Sequence, residues 1–175
     1  LPELLIGCGN SRRKKLKFHA DDDWTELVTL DHDPNCGADV IHDLSTFDPW
    51  PFDDGKFDEV HAYEVLEHIG QQGDYRKFFH DFGEIYRVLK PGGILAATCP
   101  SWQSKWAWGD PSHTRIVSDA SLVFLDRTEY QKQVGRTAMT DFRWLWAGDF
   151  EPIHLDDNGK SFAFGLKAHK PVRCV

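Results

Sequence analysis

The chain has 175 residues, 41% apolar and 27% charged, the length and balance of one folded domain with a core of its own. Its formal charge is −8 and its longest basic run is Arg12-Arg13-Lys14-Lys15, which disfavours a nucleic-acid partner, because counterions released by a basic face supply much of that affinity. Cys8, Cys36, Cys99 and Cys174 form no CxxC and show no metal-ligand spacing. With no signal-peptide pattern and no long apolar run, a reduced, cytoplasmic setting away from membranes is expected.

Residues 3–6 are a short apolar run stopped by Gly7-Cys8-Gly9, the pattern of a buried strand feeding a tight turn. From Asn10 to Asp23 the chain is polar and weakly periodic, and a loop with at most a short helix is expected. Residues 26–30, ending at Asp31, and residues 38–41, ending near Asp43, read as the second and third strands, with a turn at Asp33-Pro34-Asn35 between them. Residues 45–56 collect Pro, Asp and Gly and form a loop; residues 57–62 read as a fourth strand. Asp74 then caps an amphipathic helix whose apolar positions, Tyr75, Phe78, Phe79, Phe82, Ile85, Tyr86 and Leu89, share one face.

Lys90-Pro91-Gly92-Gly93 ends that helix, and residues 94–99 are a fifth strand. Residues 101–117 mix Trp, His, Asp and Arg without periodicity, and Ser118 is expected to cap a helix over 118–133. Residues 151–155 and 161–166 flank Asp156-Asp157-Asn158-Gly159, whose Asn-Gly pair favours a tight hairpin turn. The expected fold is a single α/β domain with a mostly parallel sheet and a C-terminal antiparallel β-hairpin. Within it, residues 1–100 form a ligand-binding core, 101–150 an aromatic-rich segment and 151–170 the hairpin.

A parallel α/β sheet takes its ligands at the carboxyl ends of its strands, where the strand order switches. Three predicted strands end in residues suited to a nucleoside. Gly7-Cys8-Gly9 leaves room for ligand atoms to approach backbone amides. Asp31, 22 residues after Gly9, is placed to accept from both ribose hydroxyls, and Asp43-Leu44 offers a carboxylate to an exocyclic amine. A nicotinamide dinucleotide fits less well, because its fingerprint needs a third glycine where Arg12 stands.

The stretches LLIGCGN, LDHDP, ADVIHDLS, FDEVHAYEVLEHIG and EIYRVLKPGGILAATCP resemble the successive motifs of class I, Rossmann-like S-adenosylmethionine-dependent methyltransferases, from about Leu4 to Pro100. The resemblance implies S-adenosyl-L-methionine as cofactor and S-adenosyl-L-homocysteine as product. It implies that Gly7, Cys8, Gly9 and Asn10 wrap the methionyl part, that Asp31 holds the ribose and that His32 flanks the adenine. It also implies that Asp43 reaches the adenine amine beside Leu44, and that Tyr63 and Glu64 lie near the methionine and the transferred methyl. Two departures stand out. Leu5 occupies a position where the family commonly has an acidic or amide residue, and the sequence starts almost on its first strand, without the N-terminal helix that covers the cofactor in many relatives. The site is therefore expected to be open, or covered by the aromatic segment.

In such a family the loop after the fifth strand borders the acceptor. His113 is the first candidate for a base and Asp110 the second, with Arg115 as an anion clamp and Trp106 and Trp108 excluding water. The alternative is a packed aromatic loop whose polar groups satisfy backbone atoms. Glu67 and His68 suggest acid–base work, or else hold the loop after the fourth strand. Cys8 reads as a packing residue and the basic run as a solvated face or an anion contact. No compact ligand set points to a metal. A small-molecule acceptor is expected; a protein or nucleic-acid acceptor, or a non-catalytic cofactor-binding module, are the alternatives.

Overall fold

The computed structural model describes residues 1–18 and 23–174. A seven-stranded sheet has the order β3-β2-β1-β4-β5-β7-β6. Strands β1 (Pro2–Ile6), β2 (Glu26–Asp31), β3 (Val40–Ile41), β4 (Phe57–Tyr63) and β5 (Leu89–Pro100) pair with one another in parallel. The hairpin of β6 (Phe150–Asp157) and β7 (Ser161–Ala168) is antiparallel throughout, and β7, not β6, pairs with β5. The expected mostly parallel α/β sheet with a terminal hairpin is therefore the observed one.

Strand alternation sorts side chains between two unequal cores. Leu4 and Ile6 of β1, with Val60 and Ala62 of β4, join the larger core, which α1 (Tyr75–Val88) covers with Phe79, Phe82, Ile85 and Val88. Burying a side chain of that size contributes about 1.5–3 kcal/mol. The Asp74 side chain caps α1 by accepting from the Lys77 amide at 3.0 Å. Near the helix end, Arg87 donates to the Trp50 and Phe52 carbonyls and to Glu84, closing the loop that leads into β4.

The opposite face carries a small cluster of Leu5, Cys8 and Tyr63 and a row of polar groups. Irregular backbone over residues 10–18 covers part of it, as expected for a loop; residues 19–22 of that stretch lie outside the described residues. The basic run is only half a solvated face: Arg13 and Lys15 are exposed, whereas Arg12 and Lys14 turn inward. Lys14 is buried, 2.8 Å from Glu3 and 3.7 Å from Glu59, and the Arg12 guanidinium donates to the carbonyls of Gly9, Cys36 and Gly37.

Beyond β5 the structure departs from the sequence reading twice. Residues 101–117 contain a short helix, α2 (Lys105–Gly109). The single helix expected over 118–133 is split into α3 (Asp119–Leu122), a 3-10 turn and α4 (Arg127–Gln133). Asp126 causes the break: its carboxylate accepts from the Thr128 amide at 2.8 Å in an extended conformation, which starts a new helix and ends the old one.

Candidate functional site

From β1 the chain moves outward to β2 and β3, then returns to place β4 on the other side of β1. The switch point between β1 and β4 opens a cleft of about 840 Å³, within the size range of small-molecule sites. Gly7, Gly9, Asp31, His32, Asp43, Leu44 and Glu64 line it, together with Asp33, Pro34, His42, Ser45, Val65, His68 and Ile69, which the strand-end argument did not single out.

Gly7 adopts φ +58°, and a Cβ there would lie 2.3 Å from Val65 Cγ2, so the turn at the end of β1 admits no side chain. At Gly9 (φ +47°) a Cβ would meet nothing within 4 Å. The loop amides do not wait for a ligand as expected: the Cys8 amide donates to the Leu30 carbonyl at 3.4 Å and the Gly9 amide to Asp31 Oδ2 at 2.8 Å. What the glycines provide is the turn and clear space above it.

Asp31 also accepts from the Asp33 amide at 2.9 Å through Oδ1. Burial pushes its carboxyl up, but the Asp33 and Gly9 amides outweigh that, and the net shift is downward. A carboxylate has about four acceptor positions, so two such bonds leave capacity for a diol. Asp43 is exposed and held below the usual range by the Ser45 amide and hydroxyl. Glu64 is a non-glycine residue at positive φ (+55°), a strained backbone at the mouth of the cleft.

Cys8, Asn10 and Tyr63 do not line the cleft. The Tyr63 hydroxyl lies 2.6 Å from His61 Nδ1 and accepts from the Leu16 amide at 3.1 Å on the other face of the sheet; burial pushes the phenol up to about 12. Cys8 packs with Leu5 there, and burial lifts its thiol to about 11.

Next to the cleft lies a second group of polar side chains. His68 follows Glu67 on the turn after β4, and the chain returns to them after α2. The Thr114 and Arg115 amides donate to the Glu67 carbonyl at 2.9 and 3.1 Å. That docking sets the His113 ring against His68, with centroids 4.8 Å apart. Each imidazole donates from Nδ1 to a backbone carbonyl, His68 to Ser112 (3.1 Å) and His113 to Trp106 (2.9 Å). Their Nε2 atoms face carboxylates: His68 lies 4.0 Å from Glu67 Oε1 and His113 lies 3.9 Å from Asp110 Oδ2.

Glu67 is 2% exposed, and neither of its oxygens has a hydrogen-bond partner of normal geometry. Burial pushes its carboxyl up to about 7; Glu64 adds to the rise, and its own amide and the Cys99 thiol only partly oppose it. His113 and Asp110 thus sit together, one ring behind the cleft wall formed by His68. The other expected members of the segment do not converge on the cleft. Trp106 and Trp108 stand 62% and 69% exposed, and Arg115 spends its guanidinium on the Gln71 and Asp74 carbonyls and the Phe78 ring. Among the described residues, three sets have metal-ligand spacing: Glu67–His68–His113, Cys8–Asp31–Cys36 and Glu3–Glu59–His61.

An α/β sheet with carboxylates at successive strand ends around a switch-point cleft defines a domain for a nucleoside-containing ligand without a pyrophosphate cradle. The chain belongs to the family described as methyltransferase domain, whose family model matches residues 4–97. It is of the class I, Rossmann-like type, whose cofactor is S-adenosyl-L-methionine. It is 33% identical over 103 residues to a sterol 24-C-methyltransferase of Eremothecium gossypii, covering 59% of this chain and 26% of the relative. The chain thus spans about a quarter of that relative's length.

Among solved structures, a SAM-dependent methyltransferase from Archaeoglobus fulgidus matches with a TM-score of 0.56 at 15% identity, covering 95% of this chain and 85% of that one. The N-methyltransferase NodS from Bradyrhizobium japonicum, solved with S-adenosyl-L-homocysteine, matches with a TM-score of 0.52 at 13% identity, covering 95% and 77%. These structural likenesses bear on the fold. Among the described residues no helix is long and apolar enough to cross a membrane.

Proposed function

We propose that this chain transfers the methyl group of S-adenosyl-L-methionine to a small-molecule acceptor seated where the cleft meets the segment after β5. The observation that carries the reading is the cleft itself, with Asp31 and Asp43 along one side and Glu64 and His68 along the other. In this reading Gly7 and Gly9 clear space for the methionyl part, Asp31 accepts from the ribose hydroxyls, His32 and Leu44 flank the adenine, and Asp43 accepts from its amine. Glu64 takes the methionine ammonium, a partner that Leu5, packed on the opposite face, does not supply. Cys8 and Tyr63 pack behind the loop.

The sulfonium is already activated, so catalysis is chiefly in-line positioning. For an acceptor that keeps its proton near pH 7, His113 Nε2 is the base and Asp110 steadies the imidazolium. The acidic total charge supports a small acceptor over nucleic acid, and the curated relatives' names give a sterol as theirs. Calorimetry with S-adenosyl-L-homocysteine tests the binding half. Asp31→Ala removes charge-assisted bonds together worth about 3 kcal/mol, on the order of a hundredfold in affinity. No heat and no thermal shift with either form of the cofactor sinks the reading. Turnover equal to wild type in His113→Ala removes His113 as base.

A further inference from the structure

We propose that Glu67, His68 and His113 form a binding site for one divalent transition-metal ion of the zinc class, at the edge of the cleft. Four observations converge. The three side chains offer ligand atoms that all lie within 4.8 Å of one another. Both imidazoles have their Nδ1 protons donated to backbone carbonyls, which fixes the tautomer and turns the Nε2 lone pairs inward. That is the arrangement outer partners impose on histidines that ligate metals. Glu67 is buried with neither oxygen in a hydrogen bond of normal geometry, although buried polar groups in folded proteins are nearly always paired. Finally, the loop bearing His113 is held to the turn bearing Glu67 by backbone hydrogen bonds, so the ligands are preset rather than gathered by the ion.

Two imidazole nitrogens and one carboxylate are the donor set of zinc and of other borderline divalent ions, and three protein ligands leave a coordination position open. The separation of 4.0 Å between His68 Nε2 and Glu67 Oε1, within a set that spans up to 4.8 Å, exceeds the ~3.4 Å that metal–ligand bonds of about 2.0–2.1 Å require, so the side chains close by roughly half to one and a half ångströms on binding. Asp110, with Oδ2 3.9 Å from His113 Nε2, adds a second negative charge beside the ion. The other two sets are poorer. The Lys14 ammonium already lies between Glu3 and Glu59, and burial holds the Cys8 thiol protonated.

Such an ion would change how the acceptor is activated, a consequence that rests on the methyl-transfer reading, whereas the site does not. With Nε2 ligated, His113 no longer takes a proton. A hydroxyl or thiol acceptor coordinated to the ion releases its proton to bulk water more readily instead.

The chelator-treated protein, without cofactor, is titrated with Zn²⁺ by calorimetry and with Co²⁺ by electronic absorption. One ion per chain is expected, with a cobalt spectrum of nitrogen and oxygen ligation. Glu67→Gln, His68→Ala and His113→Ala should each weaken binding at least about tenfold, the lower end of what loss of even an outer partner costs; Cys36→Ser should not. Absence of stoichiometric binding, wild-type affinity in Glu67→Gln, or a thiolate-to-cobalt charge-transfer band overturns the site. If an alanine variant fails to fold, the near-isosteric Glu67→Gln and the wild-type cobalt spectrum still decide. S-adenosyl-L-homocysteine binding to the ion-free protein is scored separately, so failure of the metal site and failure of the cofactor reading are distinct results.

Discussion

Asp149, just before β6, is fully buried and accepts from the Arg127 amide, the Arg173 amide and two nitrogens of the Arg173 guanidinium, at 2.6–3.1 Å. Glu67, after β4, is equally sealed and accepts from no partner of normal geometry. Burial raises the carboxyl of each; at Asp149 the arginine reverses the shift, and at Glu67 nothing does. Asp81 on α1 lies between them. It has Lys77 and His80 as partners, yet burial still wins and its carboxyl is raised. Partners, rather than depth, separate a carboxylate that ties the chain together from one left for a ligand.

The largest effect is expected at the well-partnered end of that series. Asp149→Ala removes the more deeply buried of Arg173's two carboxylate partners, leaving Asp126, and orphans two part-buried amides, costing about 3 kcal/mol in urea unfolding, as for other ion pairs that lose a buried partner. A loss below about 1 kcal/mol would mean that solvent screens Arg173 enough to make Asp149 an ordinary surface partner. The same residue gives a pH dependence. Its folded carboxyl lies below its ordinary value of 3.8, so its stabilisation is present above that value and disappears as pH falls through the folded one. Wild type should therefore lose more stability than Asp149→Asn in that acidic window, and parallel curves would show that Asp149 has no depressed titration. Asp81→Asn, which keeps an acceptor near Lys77 but removes the charge, should cost less, about 1–2 kcal/mol.

How far the sequence showed this series depended on whether partners were local. The helix α1 was legible because its apolar period and its Asp74 cap lie within one stretch. The place of Asp31 and Asp43 in the cleft was legible because clefts in parallel sheets open at strand ends. Asp126 was not, since a cap shows itself only through an extended backbone between two helical turns. Nor was the burial of Lys14, which depends on Glu3 and Glu59 meeting across adjacent strands β1 and β4. Glu67-His68 stood out as a pair, but the loop that brings His113 to it docks through Ser112, 44 residues from His68. Trp106 and Trp108 misled: aromatic content suggested a wall, and the side chains stand in solvent.

The smallest stability change is expected at Glu67, and its sign is the informative part. Glu67→Gln keeps the shape and replaces an unpartnered buried carboxyl by a neutral amide. No donor loses an acceptor, because none of normal geometry reaches those oxygens. The new amide N–H groups find His68 Nε2 and its neighbours about 4 Å away, close enough for modest adjustment to supply an acceptor. Removing an uncompensated buried charge is favourable, whereas an imperfectly paired amide costs about 1–3 kcal/mol. The two nearly cancel, and unfolding in metal-free buffer should move by less than about 1 kcal/mol, toward greater stability. A destabilisation comparable with that of Asp149→Ala would show that Glu67 has structural partners after all, and the contrast between the two carboxylates would fail. A gain in stability accompanied by loss of zinc affinity would sharpen it, because a residue that weakens the ion-free fold is then kept for what it binds.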